Sequence, residues 1–149
     1  MGSLRMLDGV AEGPAPAIHP ENSGFWESVA AGSFKLQRCS DCGTIRFPIA
    51  PCCWKCLSFD SEWVDAQGDG RVAVASRVVR ATGNPIWQDA VPLLSGLVDT
   101  DAGIRIPGRI ICTCGEATKH GTPVQMVALP AKGGARVYGF EHACGTEGQ

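Results

Sequence analysis

Two C-x-x-C pairs, Cys39-Ser-Asp-Cys42 and Cys53-Trp-Lys-Cys56, constrain this chain more than anything else in it. Each pair fits a tight turn that aims two thiols at one point. Two such turns facing each other across a hairpin build the tetrahedral sulfur cage that Zn2+ favours. The stretch between them, Gly43 to Cys52, has room for a strand and a turn and none for a helix. That spacing predicts a zinc ribbon over residues 36–61, with Cys39, Cys42, Cys53 and Cys56 as the ligands. Four protein thiolates leave no open position for water or substrate, so the expected role of the ion is structural. Sulfur ligands at this spacing also suit an iron centre of rubredoxin type, and that alternative stands beside zinc. Cys52 adjoins Cys53, but the C-x-x-C register selects Cys53 and leaves Cys52 as a small apolar filler.

Eight cysteines in 149 residues are also the density of a secreted disulfide scaffold. The opening Met1–Pro20 stretch speaks against export: it has no continuous apolar run and carries Pro14, Pro16 and Pro20. The expected location is the cytoplasm, where thiols stay reduced and clustered pairs read as metal ligands. Cys112, Cys114 and Cys144 are scattered, and no histidine lies near enough to them in sequence to suggest a second metal site. They read as buried or incidental cysteines. A net charge of −2 lacks the basic excess of a general nucleic-acid binder. No apolar run approaches the ~20 residues that span a bilayer.

Residues 1–20 read as a flexible arm, since Gly13-Pro14-Ala15-Pro16-Ala17 sustains neither helix nor sheet pairing. A short helix is predicted within residues 21–35, capped by Asn22-Ser23, apolar at Phe25, Trp26, Val29 and Ala30, and ended by Gly32. From residue 62 the apolar period changes to two, the mark of strands. Trp63–Ala66, Arg71–Arg80, Leu93–Val98, Ile104–Ile111, Val124–Leu129 and Arg136–Phe140 are the candidates, separated by glycine-rich turns. On the longest, Val72, Val74 and Val78 are expected on one face, with Arg71 and Arg77 on the other. Short strands of this number suit a small barrel over residues 62–142, for which the OB fold is the usual five-stranded solution. Residues 143–149 read as a flexible tail. The fold class is thus mostly β: a short N-terminal helix, a rubredoxin-like zinc ribbon and a C-terminal OB barrel.

Several features in this order resemble a known family, the acyl-CoA-associated zinc-ribbon/OB-fold proteins. They are Phe25-Trp26-Glu27, the run Ala31–Cys39, Cys42-Gly43, Arg46-Phe47-Pro48 and the second cysteine pair. Trp63, Gly68-Asp69-Gly70-Arg71-Val72, Val78-Val79, Leu97-Val98-Asp99 before Gly103, and Gly121-Thr122-Pro123-Val124 follow. The chain departs from the family pattern at Trp54 and Leu57, where proline and glycine are usual, and at Ile49, where a second proline is usual. All four ligands are kept. The resemblance implies an accessory subunit, in hetero-oligomeric complex with a thiolase-like protein or with an acyl-CoA hydratase. Such complexes act on acyl-CoA thioesters by acyl transfer or by retro-aldol carbon–carbon cleavage, steroid side-chain degradation among them. The small protein supplies structure there and is a candidate to contact the CoA moiety.

The chain's own residues offer no catalytic constellation: no Gly-x-Ser-x-Gly elbow, no phosphate loop with Lys-Ser/Thr, no H-E-x-x-H. His19 falls in the arm, His120 in a turn and His142 at the expected frayed end, while Asp99 and Asp101 share a turn. Tyr138 reads as packing. For a CoA thioester the candidate contacts are Arg77, Arg80, Arg105 and Arg109, if neighbouring strands gather them on one face, against the plain alternative of solvated sheet positions. Trp87, in a proline-flanked loop beside Ile86, reads as an interface anchor or a barrel plug. The alternative function is a single-stranded nucleic-acid module, which needs a basic groove with stacking aromatics drawn from Trp63, Trp87, Tyr138 and Phe140.

Overall fold

Alternating apolar and polar side chains on either side of the cysteine pairs build two sheets, and one short helix joins them. The computed structural model describes residues 3–142. In chain order the elements are β1 (Arg5–Met6), α1 (Ser23–Ala30), β2 (Lys35–Cys39), β3 (Ile45–Arg46) and β4 (Ser61–Asp65). Then come β5 (Gly70–Val78), β6 (Leu93–Thr100), β7 (Arg105–Ile111), β8 (Pro123–Pro130) and β9 (Arg136–His142). Single turns of 3-10 helix cover Pro85–Asp89 and Lys132–Gly134.

The ribbon sheet has the order β3-β2-β4 and is antiparallel throughout. It takes in Trp63 to Asp65, placed by the sequence at the start of the barrel, because β4 pairs with β2 along its whole length, from Lys35↔Asp65 to Cys39↔Ser61. In the second sheet β5, β6 and β7 pair in succession, β7 with β9, β9 with β8, and β8 returns to β5. That ring of pairings is the five-stranded barrel. Two of its seams are only two register pairs long: β5–β8, antiparallel, and β7–β9, parallel, with Ile110↔Phe140 and Ile111↔Glu141.

Residues 1–20 were expected to pair with nothing, and here the structure corrects the sequence. β1 joins the barrel sheet beside β8, with Arg5 opposite Val127 and Met6 opposite Ala128, and Gly13 bridges to Ala131. The physical reason is apolar burial at spaced positions: Leu4 is buried in the main core, and Leu7 and Val10 cover Ile111, Val127 and Leu129. Ion pairs Arg5–Glu141, Asp8–Arg136 (2.7 Å) and Glu12–Lys132 (3.5 Å) run along the same strip. The prolines break helix and leave extended backbone free to lie along the barrel.

α1 forms from its apolar face, with Phe25 and Val29 buried. Asn22 holds the N-cap position but spends its side chain on the preceding turn, accepting from the His19 amide at 2.7 Å. Gly32, at φ 82°, lets the chain leave the helix in the left-handed conformation. Phe25 meets Trp26, Phe34, Phe47 and Tyr138 edge to face, and Tyr138 stacks on Trp26 at 6.2 Å. Helix, ribbon and barrel therefore share one core.

The face assignment on β5 holds only to Val72. A bulge between Val72 and Val74 shifts the register against β6, so Val72 is buried while Val74 is 53% exposed. The carbonyl of the bulged Ala73 lies 2.9 Å from Nδ1 of His120. Residues 143–149, expected as a tail, lie outside the described residues. No helix among the described residues is long and apolar enough to cross a membrane.

Candidate metal centre and barrel cavity

The two ribbon turns bring the four cysteine sulfurs together. Cys39 Sγ lies 3.5 Å from Cys56 Sγ and Cys42 Sγ 3.6 Å from Cys53 Sγ, and all four lie within 4.8 Å of one another. Zn–S bonds of about 2.3 Å in a tetrahedron put sulfurs ~3.8 Å apart. Each knuckle closes with an amide donated back to its first cysteine's carbonyl, Gly43 N to Cys39 O at 3.0 Å and Leu57 N to Cys53 O at 2.9 Å. Cys39 and Cys53 are buried, Cys42 and Cys56 exposed. Cys52 stays outside the cluster.

Charge tests the fit. The Cys42 amide, aided by that of Asp41, holds the Cys39 thiol down at about 6 against the opposing effect of burial. The Cys56 and Lys55 amides lower Cys53 in the same way. For Cys56 the Ser58 amide favours the thiolate, yet burial and the sulfurs of Cys39, Cys42 and Cys53 push it up to about 12. The cluster invites anions and then resists the last of them. A divalent cation at its centre removes that conflict, so the donor set fits a metal ion.

Behind the cluster stands Arg46, 1% exposed. Its guanidinium donates to the carbonyls of Ala50 (3.3 Å), Ser58 (3.0 Å) and Asp60 (3.1 Å). Gln37, opposite it in register, accepts from the Ala50 amide at 3.1 Å. In the sequence Arg46 stands out only as part of the Arg46-Phe47-Pro48 motif. An arginine between two apolar residues of a strand, with no acid nearby in sequence, was the signal for a buried role.

The four candidate CoA arginines do not gather. Arg80 and Arg109 line one cavity of about 600 Å3, with Trp87, Pro107, Leu129 and Tyr138 among its walls. Arg105 is instead paired with Asp99 at 2.7 Å, and Arg77 lines no part of that cavity. Arg109 is half-buried, donates to Ala11 O at 2.7 Å and lies 5.9 Å from the centre of the Trp87 ring; burial lowers its pKa. Trp87 is no free anchor: its ring rests on the N-terminal strip, where a Cβ on Gly13 would fall 2.8 Å from it. Tyr138 donates to Pro107 O at 2.6 Å, and burial pushes its pKa to about 12.

Of the four aromatics named for the nucleic-acid alternative, Trp63 alone is exposed, at 36%. Phe140 is buried, Tyr138 belongs to the aromatic core, and the Trp63 ring lies over Gly24, where a Cβ would meet it at 2.7 Å. The strongest apolar exposure lies on the second ribbon knuckle instead: Trp54 and Leu57 at 71% and Phe59 at 78%.

Comparison with known proteins agrees with this architecture. Residues 26–62 match the family model of the ChsH2 rubredoxin-like zinc ribbon domain, and residues 63–129 that of the ChsH2 C-terminal OB-fold domain. Over 118 residues the chain is 31% identical to a probable enoyl-CoA hydratase alpha subunit of Thermomonospora curvata, covering 79% of this chain and 36% of that protein. Over 97 residues it is 28% identical to the 3-oxo-4,17-pregnadiene-20-carboxyl-CoA hydratase alpha subunit of Mycobacterium tuberculosis, covering 64% and 29%. The chain thus spans about a third of these curated relatives. Among solved structures it superimposes on a chain of the Ltp2-ChsH2(DUF35) aldolase with a TM-score of 0.74 and 29% identity, covering 86% of this chain and 98% of the other.

Proposed function

We propose that this chain, which belongs to the ChsH2 zinc-ribbon/OB-fold family, is the non-catalytic subunit of a thiolase-like enzyme acting on acyl-CoA thioesters. The reaction assigned to the complex is retro-aldol cleavage of a carbon–carbon bond next to the thioester, of the kind that shortens a steroid side chain. The carrying observation is the likeness to nearly the whole of one chain of an aldolase complex, 98% of it. The hydratase subunits among the relatives support an acyl-CoA context. The described residues add no nucleophile–base pair of their own in the barrel cavity. In this reading a structural Zn2+ bound by Cys39, Cys42, Cys53 and Cys56 fixes the ribbon, and the ribbon presents the docking face.

That face is the second knuckle. Leu57 sits at φ 66°, the left-handed region that costs a branched side chain about 1–2 kcal/mol and costs glycine nothing. An exposed leucine held there stabilises nothing inside the chain, which suits a contact made to a partner. Leu57→Gly is therefore expected to raise the stability of the free chain by about 1 kcal/mol while weakening the complex. Trp54→Ala with Phe59→Ala is expected to weaken it at least ~10-fold, as loss of buried aromatic anchors does. Co-expression with a thiolase-fold partner, size-exclusion chromatography and an aldolase assay on a CoA thioester check both. A partner fully active without this chain would refute the subunit role.

The cavity flanked by Arg80 and Arg109 is the proposed CoA contact, with the guanidiniums toward phosphate and Leu129 and Pro107 toward pantetheine. Arg80→Ala is expected to weaken CoA binding to the assembled complex about 10-fold, one charge-assisted hydrogen bond's worth. Isothermal titration with free CoA measures it. Arg77→Ala, outside the cavity, serves as the control and leaves affinity unchanged.

A further inference from the structure

The fold assembles a second group of soft ligands that the sequence leaves far apart. Cys112 follows the last residue of β7, Cys114 lies two residues on, and His142 ends β9 with 4% of its surface exposed. His142, expected at a frayed end, is a paired strand residue opposite Val124. Its Nδ1 lies 3.4 Å from Cys112 Sγ and 3.9 Å from Cys114 Sγ, and the two sulfurs are 3.7 Å apart. A tetrahedral zinc with bonds of about 2.3 Å to sulfur and 2.05 Å to nitrogen puts its sulfurs ~3.8 Å apart and sulfur and nitrogen ~3.6 Å apart. The three atoms already sit on one face of that tetrahedron.

We propose that Cys112, Cys114 and His142 form a second zinc site, which staples the β7–β9 seam of the barrel. The location gives the site a purpose. That seam has only two register pairs, and the ligands lie immediately beyond them, one pair of thiols on the β7 side and the imidazole on the β9 side. A metal there replaces the backbone hydrogen bonds that the short seam lacks.

The site belongs to the reduced chain, because Cys114 is disulfide-bonded in this structure. A dithiol reductant opens it. One of its thiolates attacks the disulfide to give a mixed disulfide, and its second thiol then displaces the chain's sulfur and closes the reductant's own disulfide. Two electrons pass to the chain, which gains two thiols, and the thiol protons leave to water as zinc binds.

The test is the zinc stoichiometry of the full chain after treatment with dithiothreitol, zinc loading and removal of loosely bound ion. Two zinc per chain are expected in the wild type, and about one in Cys112→Ser and in His142→Asn. One zinc per reduced wild-type chain would overturn the site, as would a Cys112→Ser chain that keeps two. X-ray absorption at the zinc edge needs no variant. Imidazole scattering beside sulfur is expected in the reduced wild type, and a sulfur-only shell would exclude His142 as a ligand.

Discussion

Cys39→Ser is expected to release one equivalent of zinc and to unfold the ribbon, with amide protection lost from residue 36 to about residue 60. A structural zinc of this type contributes about 10–16 kcal/mol in isolated zinc-binding peptides, as much as the whole stability of an ordinary domain. The ribbon has little else to stand on. β3 is two residues long, and apart from the cysteines its strands bury only Leu36, Gln37 and Arg46. The damage should spread, because Phe47 and Ile45 pack into the core that α1 shares with the barrel. Partner docking through Trp54 and Phe59 should fail with it. Cys52→Ser, one position from a ligand, should keep the zinc and shift stability by less than ~0.5 kcal/mol. Hydrogen exchange and metal analysis on the two variants separate ligand from neighbour. A Cys39→Ser chain with full zinc and unchanged exchange would remove the metal from its assigned place.

What was legible in the sequence follows from the range of the signals. The C-x-x-C pairs and the period-two runs are local, and local geometry decides them. The helix, the ribbon and the five barrel strands with their two hairpins, β6–β7 and β8–β9, could be read on that basis. The N-terminal strip was not, since its pairing with β8 depends on Leu4, Leu7 and Val10 finding an apolar surface formed more than a hundred residues later. The bulge after Val72 was hidden for the same reason: only the partner strand's register shows that one residue is extra. The arginines divide along this line too. Position on neighbouring strands suggested one face, but the Asp99 carboxylate captured Arg105, and only Arg80 and Arg109 reached the cavity. The Cys112, Cys114 and His142 cluster is the plainest case, because a parallel seam joins residues that no sequence window holds together.

Arg46→Met should cost about 3–5 kcal/mol, because the guanidinium is the donor to three backbone carbonyls. Methionine fills a similar length and donates nothing. The carbonyls of Ala50, Ser58 and Asp60 would each lose the donor that now lies 3.0–3.3 Å away, and a buried orphan acceptor costs about 1–3 kcal/mol unless water reaches it. At about 2–4 °C per kcal/mol for a chain of this size, the melting temperature should fall by about 6–20 °C. Arg46→Lys should recover only part of this, because an ammonium group cannot span three carbonyls as a planar guanidinium does. The charge matters separately. Four thiolates around a divalent cation leave the ribbon with a net negative cluster, and Arg46 is the one lysine or arginine buried among the described residues. If its charge balances that cluster, Arg46→Met should also speed zinc loss to a chelator about 10-fold, and Arg46→Lys should slow it again. If Arg46 serves only as a hydrogen-bonding strut, both variants should melt early while releasing zinc at the wild-type rate below the transition. Chelator-competition kinetics at a temperature where all three proteins are folded distinguish the two roles.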